Sequence, residues 1–193
     1  PVGDFADTAN QQNAGFAQFG FTAGVGYDLL PGWANLAWSS GFYYITNAYQ
    51  SESLTRGIDL DVIESGSYSN YAVLTGAKWN KAFSDNFEMF LVGQAGFVYA
   101  KGPYFNGVPA GDTQADYVEF EMGTSSGAAL SAGIGFLANK RTVFSVRYFH
   151  LGTHTFSQRV NYTQDSQNLQ ATVQWNQPIT LITLNVGYSI QFD

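Results

Sequence analysis

The segment Ile179–Asp193, ITLITLNVGYSIQFD, decides the fold class. From Ile182 to Phe192 the even positions are apolar or aromatic, whereas the odd positions between them are small or polar and carry no charge. Side chains alternate between the two faces of a β-strand, so this segment has one apolar face and one polar, uncharged face. A strand of a soluble protein normally carries charged residues on its wet face. The pattern is therefore typical of a transmembrane β-barrel strand, with lipid on one side and a lumen on the other.

The composition favours the same class. Charged residues make up 12% of the 193 residues, about half the share of roughly 25% in soluble proteins. The absence of cysteine excludes a disulfide framework, a thiol nucleophile and a cysteine-based metal site. No apolar run approaches the roughly 20 residues of a transmembrane helix. The length suits one barrel domain, which we expect over residues 14–193, preceded by an N-terminal extracellular or linker segment at 1–13.

Alternation recurs along the chain and predicts seven strands, at about residues 17–29, 36–44, 58–80, 87–100, 118–136, 141–163 and 168–192. Short turns are predicted at Pro31–Gly32, Ser84–Asn86 and Ala138–Arg141, and longer loops at 50–56 and 101–116. Outer-membrane barrels have short periplasmic turns and long extracellular loops. We therefore predict an all-β, antiparallel, up-and-down transmembrane β-barrel.

The predicted strand count is odd, whereas bacterial single-chain barrels have an even number of strands. In the orientation set by the short turns, the first predicted strand descends toward the periplasm, so an ascending strand should precede it. Residues 1–13 lack the alternation of such a strand. Three explanations remain open: the first strand is missing from the sequence, an edge pairs with another chain, or two strands have been merged. Near Pro178 the apolar phase slips by one residue, which predicts a bulge.

Three stretches resemble the small opacity-type and OmpA-like outer-membrane β-barrels of Gram-negative bacteria. They are GFTAGVGYDLLPGWANLAWSSGFYY at 20–44, AGIGFLANKRTVFSVRYFHLGTHTF at 132–156 and LNVGYSIQF at 184–192. The resemblance implies an eight-stranded barrel in the bacterial outer membrane, in contact with membrane lipid and lipopolysaccharide. It also implies that the barrel assembly machinery reads the aromatic residue Phe192, although Asp193 follows it where the family ends in a free phenylalanine.

Few charged residues face the predicted lumen: Asp28, Lys78, Glu88 and Arg147. A barrel of about eight strands is just wide enough to be filled by its own side chains. Because buried charges need partners, we predict that Glu88 pairs with Lys78 or Arg147. The network is then a plug that fixes strand register, or alternatively part of a gated ion or proton path.

Aromatic residues form two predicted groups. Those near the short turns should form the girdle that outer-membrane barrels place at the membrane interface: Tyr27, Trp33, Trp79, Phe83, Phe87, Phe136 and Tyr188. Those near the long loops are candidates for contact with a protein partner or surface ligand, or else they pack against one another: Tyr49, Tyr68, Tyr104, Phe105, Tyr117, Phe156 and Tyr162.

Metal binding and cofactor chemistry have little support. Asp59, Asp61 and Glu64 could supply hard oxygen ligands to calcium, but their spacing does not match an EF-hand loop, and we favour a solvated strand edge. No other metal cluster, no nucleotide-binding loop and no nucleic-acid-binding patch occurs in the sequence, and we predict no cofactor.

A barrel enzyme and a soluble carrier are two alternatives from other functional classes. His150 lies three residues after Arg147, a spacing similar to that around the catalytic base of lipid A deacylase, an outer-membrane barrel enzyme. The position of the nucleophile two residues later is Gly152, which has no hydroxyl group. A soluble lipocalin-type carrier would need a charged exterior, which the polar faces lack. We therefore predict a non-enzymatic membrane barrel that serves envelope integrity or surface interaction; a subunit of a larger complex and a small gated pore are the alternatives.

Overall fold

The computed structural model of the chain describes residues 1–7, 17–29, 35–50, 60–109, 118–121, 123–164 and 167–190. It contains one short 3-10 helix, Gly3–Phe5, and ten β-strands. The strands are β1 Ala17–Leu29, β2 Leu36–Tyr49, β3 Leu60–Ser65, β4 Ser67–Ser84, β5 Phe87–Lys101, β6 Phe105–Pro109, β7 Val118–Phe120, β8 Thr124–Ala138, β9 Thr142–Gln164 and β10 Gln167–Tyr188. Among the described residues, no helix is long and apolar enough to cross a membrane.

All ten strands belong to one antiparallel sheet. Its main body follows the order β1-β2-β4-β5-β8-β9-β10. These strands pair in chain order, with the short strand β3 lying between β2 and β4 in the sequence and the short strands β6 and β7 between β5 and β8. Those short strands, β3, β6 and β7, continue the row at the long-loop end, where β7 pairs with the later part of β9. The predicted all-β, antiparallel, up-and-down fold is confirmed.

The seven predicted strands are all present. The structure has ten strands instead of seven because of three interruptions. Gly66 separates β3 from β4, residues 102–104 separate β5 from β6, and residues 121–123 separate β7 from β8. The prediction of one loop over 101–116 is wrong for residues 105–109, which form β6. That segment is a strand because β3 and β7 supply ladder partners on its two sides.

Tight turns close the hairpins at the end that we call the short-turn end. Between β8 and β9, Asn139 and Lys140 both have positive φ angles, 52° and 57°, which is the geometry of the tight turns that suit the twist of antiparallel strands. Residues 85–86 connect β4 to β5. The predicted turn at Pro31–Gly32 lies outside the described residues.

The predicted bulge near Pro178 is confirmed, and the extra residue lies on β9. Thr180 pairs with His150 and Pro178 with Thr153, so three steps on β9 oppose two on β10. Gly152, within the bulge, has φ +87°, a conformation that favours glycine. The side-chain alternation of β10 itself continues without interruption, because the odd residues from Gln177 to Leu181 are buried.

The sheet is rolled. On β2 and β9, which are four steps apart in the sheet order, Tyr43 and Phe149 have ring centroids 5.4 Å apart. In a flat sheet, four steps would separate these strands by about 19 Å. The contact therefore crosses an enclosed interior, which we call the lumen, and gives the sheet an inner and an outer face.

The N-terminal residues pack inside this roll. The Val2 N–H group donates to the Thr180 carbonyl of β10 at 3.0 Å. Phe5 is fully buried, with its ring 4.9 Å from that of Tyr68 in an edge-on contact. Residues 1–7 of the predicted N-terminal segment are thus bound to the sheet and belong to its core.

The described strands do not close into a cylinder. Ladder pairing joins β1 only to β2 and β10 only to β9. Within the described residues, each of these outermost strands therefore has one free edge. The predicted number of eight strands stays a prediction.

Candidate functional site

The lumen near the short-turn end contains a polar network centred on Gln94. This side chain is 5% exposed and donates from Nε2 to the Ser39 hydroxyl at 3.2 Å and to the Ser39 carbonyl at 3.3 Å. Its Oε1 accepts from the Tyr43 hydroxyl at 3.1 Å and from the Ser131 hydroxyl at 3.4 Å. One amide on β5 thereby joins side chains of β2 and β8.

Arg147 supplies the charge of this network from β9. Its Nη1 donates to Gln94 Oε1 at 3.1 Å and also to the Tyr43 hydroxyl, and its guanidinium carbon lies 5.3 Å from the centre of the Tyr43 ring. The guanidinium is thus held by neutral acceptors and by a ring face. Gly133, its partner on β8, makes room for it, since a Cβ there would lie 2.8 Å from Arg147 Cγ.

A second charged group lies at the same end. Lys78 Nζ is 2.6 Å from Asp28 Oδ2 and 4.4 Å from the centre of the Phe90 ring. The prediction that Glu88 pairs with Lys78 or Arg147 is wrong, because Asp28 and the Gln94 network occupy those cations. Register explains the difference: Lys78 pairs with Val92, four residues beyond Glu88, which is about 13 Å along a strand.

The other half of the lumen, toward the long loops, is filled mainly by apolar side chains, and Asn47, Asn70, His154 and Gln177 are also buried at this end. The apolar side chains come from the inner faces of most strands and from the N-terminal helix: Phe5, Ala17, Ile45, Tyr68, Ala72, Leu74, Val98, Ala100, Ala129, Phe149, Leu151, Phe156, Ile179 and Leu181. We call this group the apolar plug. The apolar plug lies on the long-loop side of the Gln94 network, so the lumen consists of a polar layer and an apolar layer.

The outer face has the opposite character. Large apolar side chains are exposed on it in the part of each long strand nearest the short-turn end, and we call this surface the outer belt. Its members include Val25, Trp38, Phe42, Val73, Leu91, Phe97, Leu130, Ile134, Val146, Ile182, Leu184 and Val186, each at least 44% exposed.

The predicted girdle residues that the structure describes all lie on the outer face, with Trp79 the least exposed at 37%. Three of their rings form a row, with centroids 6.1 Å apart for Phe83 and Phe87 and 5.7 Å apart for Phe87 and Phe136. Phe144 extends this row at 5.8 Å from Phe136. Tyr27 and Tyr188, on the two edge strands, are more than 60% exposed, and Trp33 lies outside the described residues.

Three of the loop-end aromatics are buried and pack against other aromatic rings, which is the second of the two alternatives given for this group. Tyr68, Phe105 and Phe156 are 2%, 7% and 0% exposed. Tyr49 is half-buried and stacks on Phe105 at 6.2 Å. They are buried because the inner face becomes the apolar one toward the long loops. Tyr117 and the side chain of Tyr162 lie outside the part of the chain that the structure describes.

Of the three metal candidates, only Glu64 has a side chain that the structure describes. Asp59 and the side chain of Asp61 lie outside the described part of the structure, and Glu64 accepts a hydrogen bond from the exposed Tyr104 hydroxyl at 2.9 Å. This hydrogen bond raises the pKa of the Tyr104 phenol. Among the described side chains, no group of three potential ligands is close enough to hold a metal ion.

The two histidines do not form a catalytic arrangement with a nucleophile on β9. His150 Nδ1 lies 3.3 Å from the Thr180 hydroxyl on β10, and Gly152 is the bulge residue with positive φ. His154 is 1% exposed, with Nε2 2.8 Å from the Leu151 carbonyl. It therefore packs within the lumen beside Phe156.

Sequence reasoning missed the centre of the network. Gln94 has the same parity as the predicted lumen residue Glu88 on the strand predicted at 87–100, but the predicted network contained only charged residues. Tyr43 and Ser39 have the same inward parity on β2. A search for polar residues of inward parity at the level of Arg147 would have found them. Phe5 had no such signal, because it belongs to no strand.

The predicted C-terminal signal residue Phe192 lies outside the described residues. No family model, curated protein or solved structure matches the chain.

We predict that the Arg147 network contributes measurably to stability. Arg147→Gln removes a charged donor from Tyr43 and Gln94, so the free energy of unfolding should fall by about 1.5–3 kcal/mol. In a double-mutant cycle with Tyr43→Phe, the coupling energy should be at least about 0.5 kcal/mol. Urea unfolding in detergent micelles measures both.

The matched control is Arg159→Gln. Arg159 lies 3.6 Å from Glu121 in an exposed pair, and such pairs contribute about 0–1 kcal/mol. Equal losses for the two arginine variants, with no coupling to Tyr43, would show that the lumen network adds nothing to stability.

Proposed function

We propose that the chain is a non-enzymatic, integral β-barrel protein of the bacterial outer membrane, with a side-chain-filled lumen. The observation that carries the proposal is the outer belt. Contiguous exposed apolar surface on this scale is a liability in water and marks a surface that is covered in use. Lipid covers such a surface on all sides at once.

The dimensions of the belt fit a bilayer. On β5 the belt extends from Phe87 to Tyr99, both of which are more than 40% exposed. These twelve steps measure about 40 Å along the strand, or about 30 Å across the membrane at a tilt near 40°. The hydrocarbon core of a bilayer is about 30 Å thick.

The change of polarity along the strands also supports the proposal. In β10, the outward residues Ile182, Leu184 and Val186 are apolar, whereas the outward residues nearer the long loops, such as Asn176 and Gln174, are polar and exposed. The apolar residues there face inward, as Ile179 does. This pattern fits a strand that leaves an apolar environment and enters water at about the level of Pro178. A soluble carrier would have apolar residues inside along its whole length.

Single-tryptophan variants test the membrane location. Trp38 is outward and 53% exposed, whereas Trp175 packs against the plug residue Phe156 at 5.4 Å. In vesicles that contain brominated lipid, we expect strong quenching when Trp38 is the sole tryptophan and little quenching when Trp175 is. The other three tryptophans are replaced by phenylalanine in each variant.

Two results would contradict the membrane location. One is a protein that stays in solution when vesicles are floated on a density gradient. The other is equal quenching of Trp38 and Trp175 in protein that does float, because the outer face would then not be the lipid-facing one.

The contents of the lumen favour a structural plug over a pore. The polar layer is spanned by the Gln94 network, and the apolar plug above it contains fully buried Phe149 and Phe156. A water-filled path would have to pass both layers. The charged pair Lys78 and Asp28 is satisfied within the lumen and is consistent with a role in fixing strand positions.

We therefore predict no ion conductance. Purified protein inserted into planar bilayers should produce no current steps, and an open porin under the same conditions should produce them. Regular single-channel steps that change on Glu88→Gln would instead support the gated path. Steps that Glu88→Gln leaves unchanged would refute the plug without supporting that residue as a gate.

The long hairpin of β9 and β10 provides the surface for interaction with a partner. In β10, residues 167–174 are exposed on both faces, and they continue beyond the bulge at Gly152. Leu169 and Val173 are apolar and 36% and 46% exposed. We propose that this ribbon extends from the membrane and contacts surface material or a neighbouring protein, which gives the barrel a role in envelope integrity or adhesion.

A further inference from the structure

The free edges of β1 and β10 form a seam, and we propose that one ascending strand fills it, supplied by the residues that directly precede Pro1 in the full-length protein. The inference rests on the proposed membrane location. It specifies the number, the direction, the register and the source of the missing strand.

Strand direction fixes the number. From β1 the main-body strands alternate in direction, β10 being the seventh, so β1 and β10 run the same way. Direct pairing of their free edges would be parallel, whereas every pairing in the sheet is antiparallel. One strand between them, running from the short-turn end toward the long-loop end, is antiparallel to both.

The backbone geometry of β10 shows which of its peptide groups point toward the seam. The Ser189 N–H group donates to the Arg141 carbonyl at 2.6 Å, on the β9 side. Peptide groups of successive residues in a strand point to opposite sides. The even residues from Thr180 to Tyr188 therefore direct both N–H and C=O toward the seam. Pro178, the even residue that precedes Thr180, has no N–H group and therefore suits the end of such a ladder.

The N-terminal residues occupy the top of this edge. The Thr180 carbonyl accepts from the Val2 N–H group at 3.0 Å, and Phe5 then enters the lumen. This bond is the last rung of the proposed ladder. With Val2 opposite Thr180, a strand that ends at Val2 would pair with β10 from Tyr188 to Thr180. Its nine residues match the roughly 9–11 residues that cross a membrane, and all of them except Pro1 and Val2 would precede Pro1.

Both edges carry exposed apolar side chains. On the outer face, Phe19 of β1 and Leu184 of β10 are 94% and 84% exposed. In lipid, each unpaired backbone group costs several kcal/mol, so open sheet edges do not persist there. A strand in the seam would satisfy the backbone groups and cover the flanks of both edge side chains.

The first test is the intact mass of the mature protein extracted from membranes of its own host, with sequencing of its N terminus. The proposal expects at least about seven residues ahead of Pro1 on the same chain, which with Pro1 and Val2 give a strand long enough to cross the membrane. A membrane-bound mature protein that begins at Pro1 would overturn it.

The second test places cysteine pairs across the seam of the same mature protein, which contains no native cysteine in residues 1–193. Val25→Cys is combined in turn with Ile182→Cys, Leu184→Cys and Val186→Cys. With one strand between β1 and β10, the paired positions are about 9.6 Å apart. No pair should form a disulfide, and at least one should be bridged within the chain by a bis-maleimide of about that length.

Existing registers supply the controls. Val25 and Val73 have β2 between them, through Phe42, and should be bridged by the reagent alone. Leu91 and Ile134 are direct partners and should form a disulfide or react with the reagent.

Every other outcome contradicts the inference. A disulfide across the seam would mean direct closure, a product that joins two chains would mean a second copy in the seam, and no product would mean a wider opening. Failure of the protein to float with vesicles would refute the membrane location, so the two failures are distinguishable.

Discussion

In the proposed membrane location, backbone hydrogen bonding in an apolar solvent is the constraint on which the structure depends. Lipid cannot satisfy peptide groups, so a sheet that exposes residues such as Phe97 and Leu184 to lipid must pair all of its strands. Antiparallel pairing with a two-residue period then separates the two environments, because alternate side chains face the belt and the lumen. The rolled sheet, the apolar exterior and the importance of the seam all follow from this requirement.

The side chains in the lumen fill the interior of the rolled sheet. Near the short-turn end, Gln94 connects β2 and β8 through neutral partners, and Arg147 of β9 adds a charge that donates to the neutral Gln94 and Tyr43 side chains. An ion pair there would have to offset a large desolvation cost. Toward the long loops the apolar plug fills the lumen. In the proposed membrane location the outer face is in contact with water there, so the apolar residues face inward.

Much of this fold could be predicted from the sequence. Strand β1 was predicted with the bounds that the structure shows, since a two-residue period needs no knowledge of distant residues. The partner of Lys78 could not be predicted, because it depends on register across two strands. The burial of Tyr68 and Phe156 was also out of reach, because the apolar face changes along each strand. Phe5 enters the core from outside any periodic segment.

The most direct measurement of the central claim compares Leu91→Arg with Glu88→Arg on β5. Leu91 belongs to the outer belt, whereas Glu88 faces the lumen near its rim and is half-buried. In lipid vesicles, Leu91→Arg should lower the free energy of unfolding by about 2–4 kcal/mol, and Glu88→Arg should change it by less than about 1 kcal/mol. Equal small changes would contradict the account, because an arginine at position 91 would then be as well solvated as one at the rim.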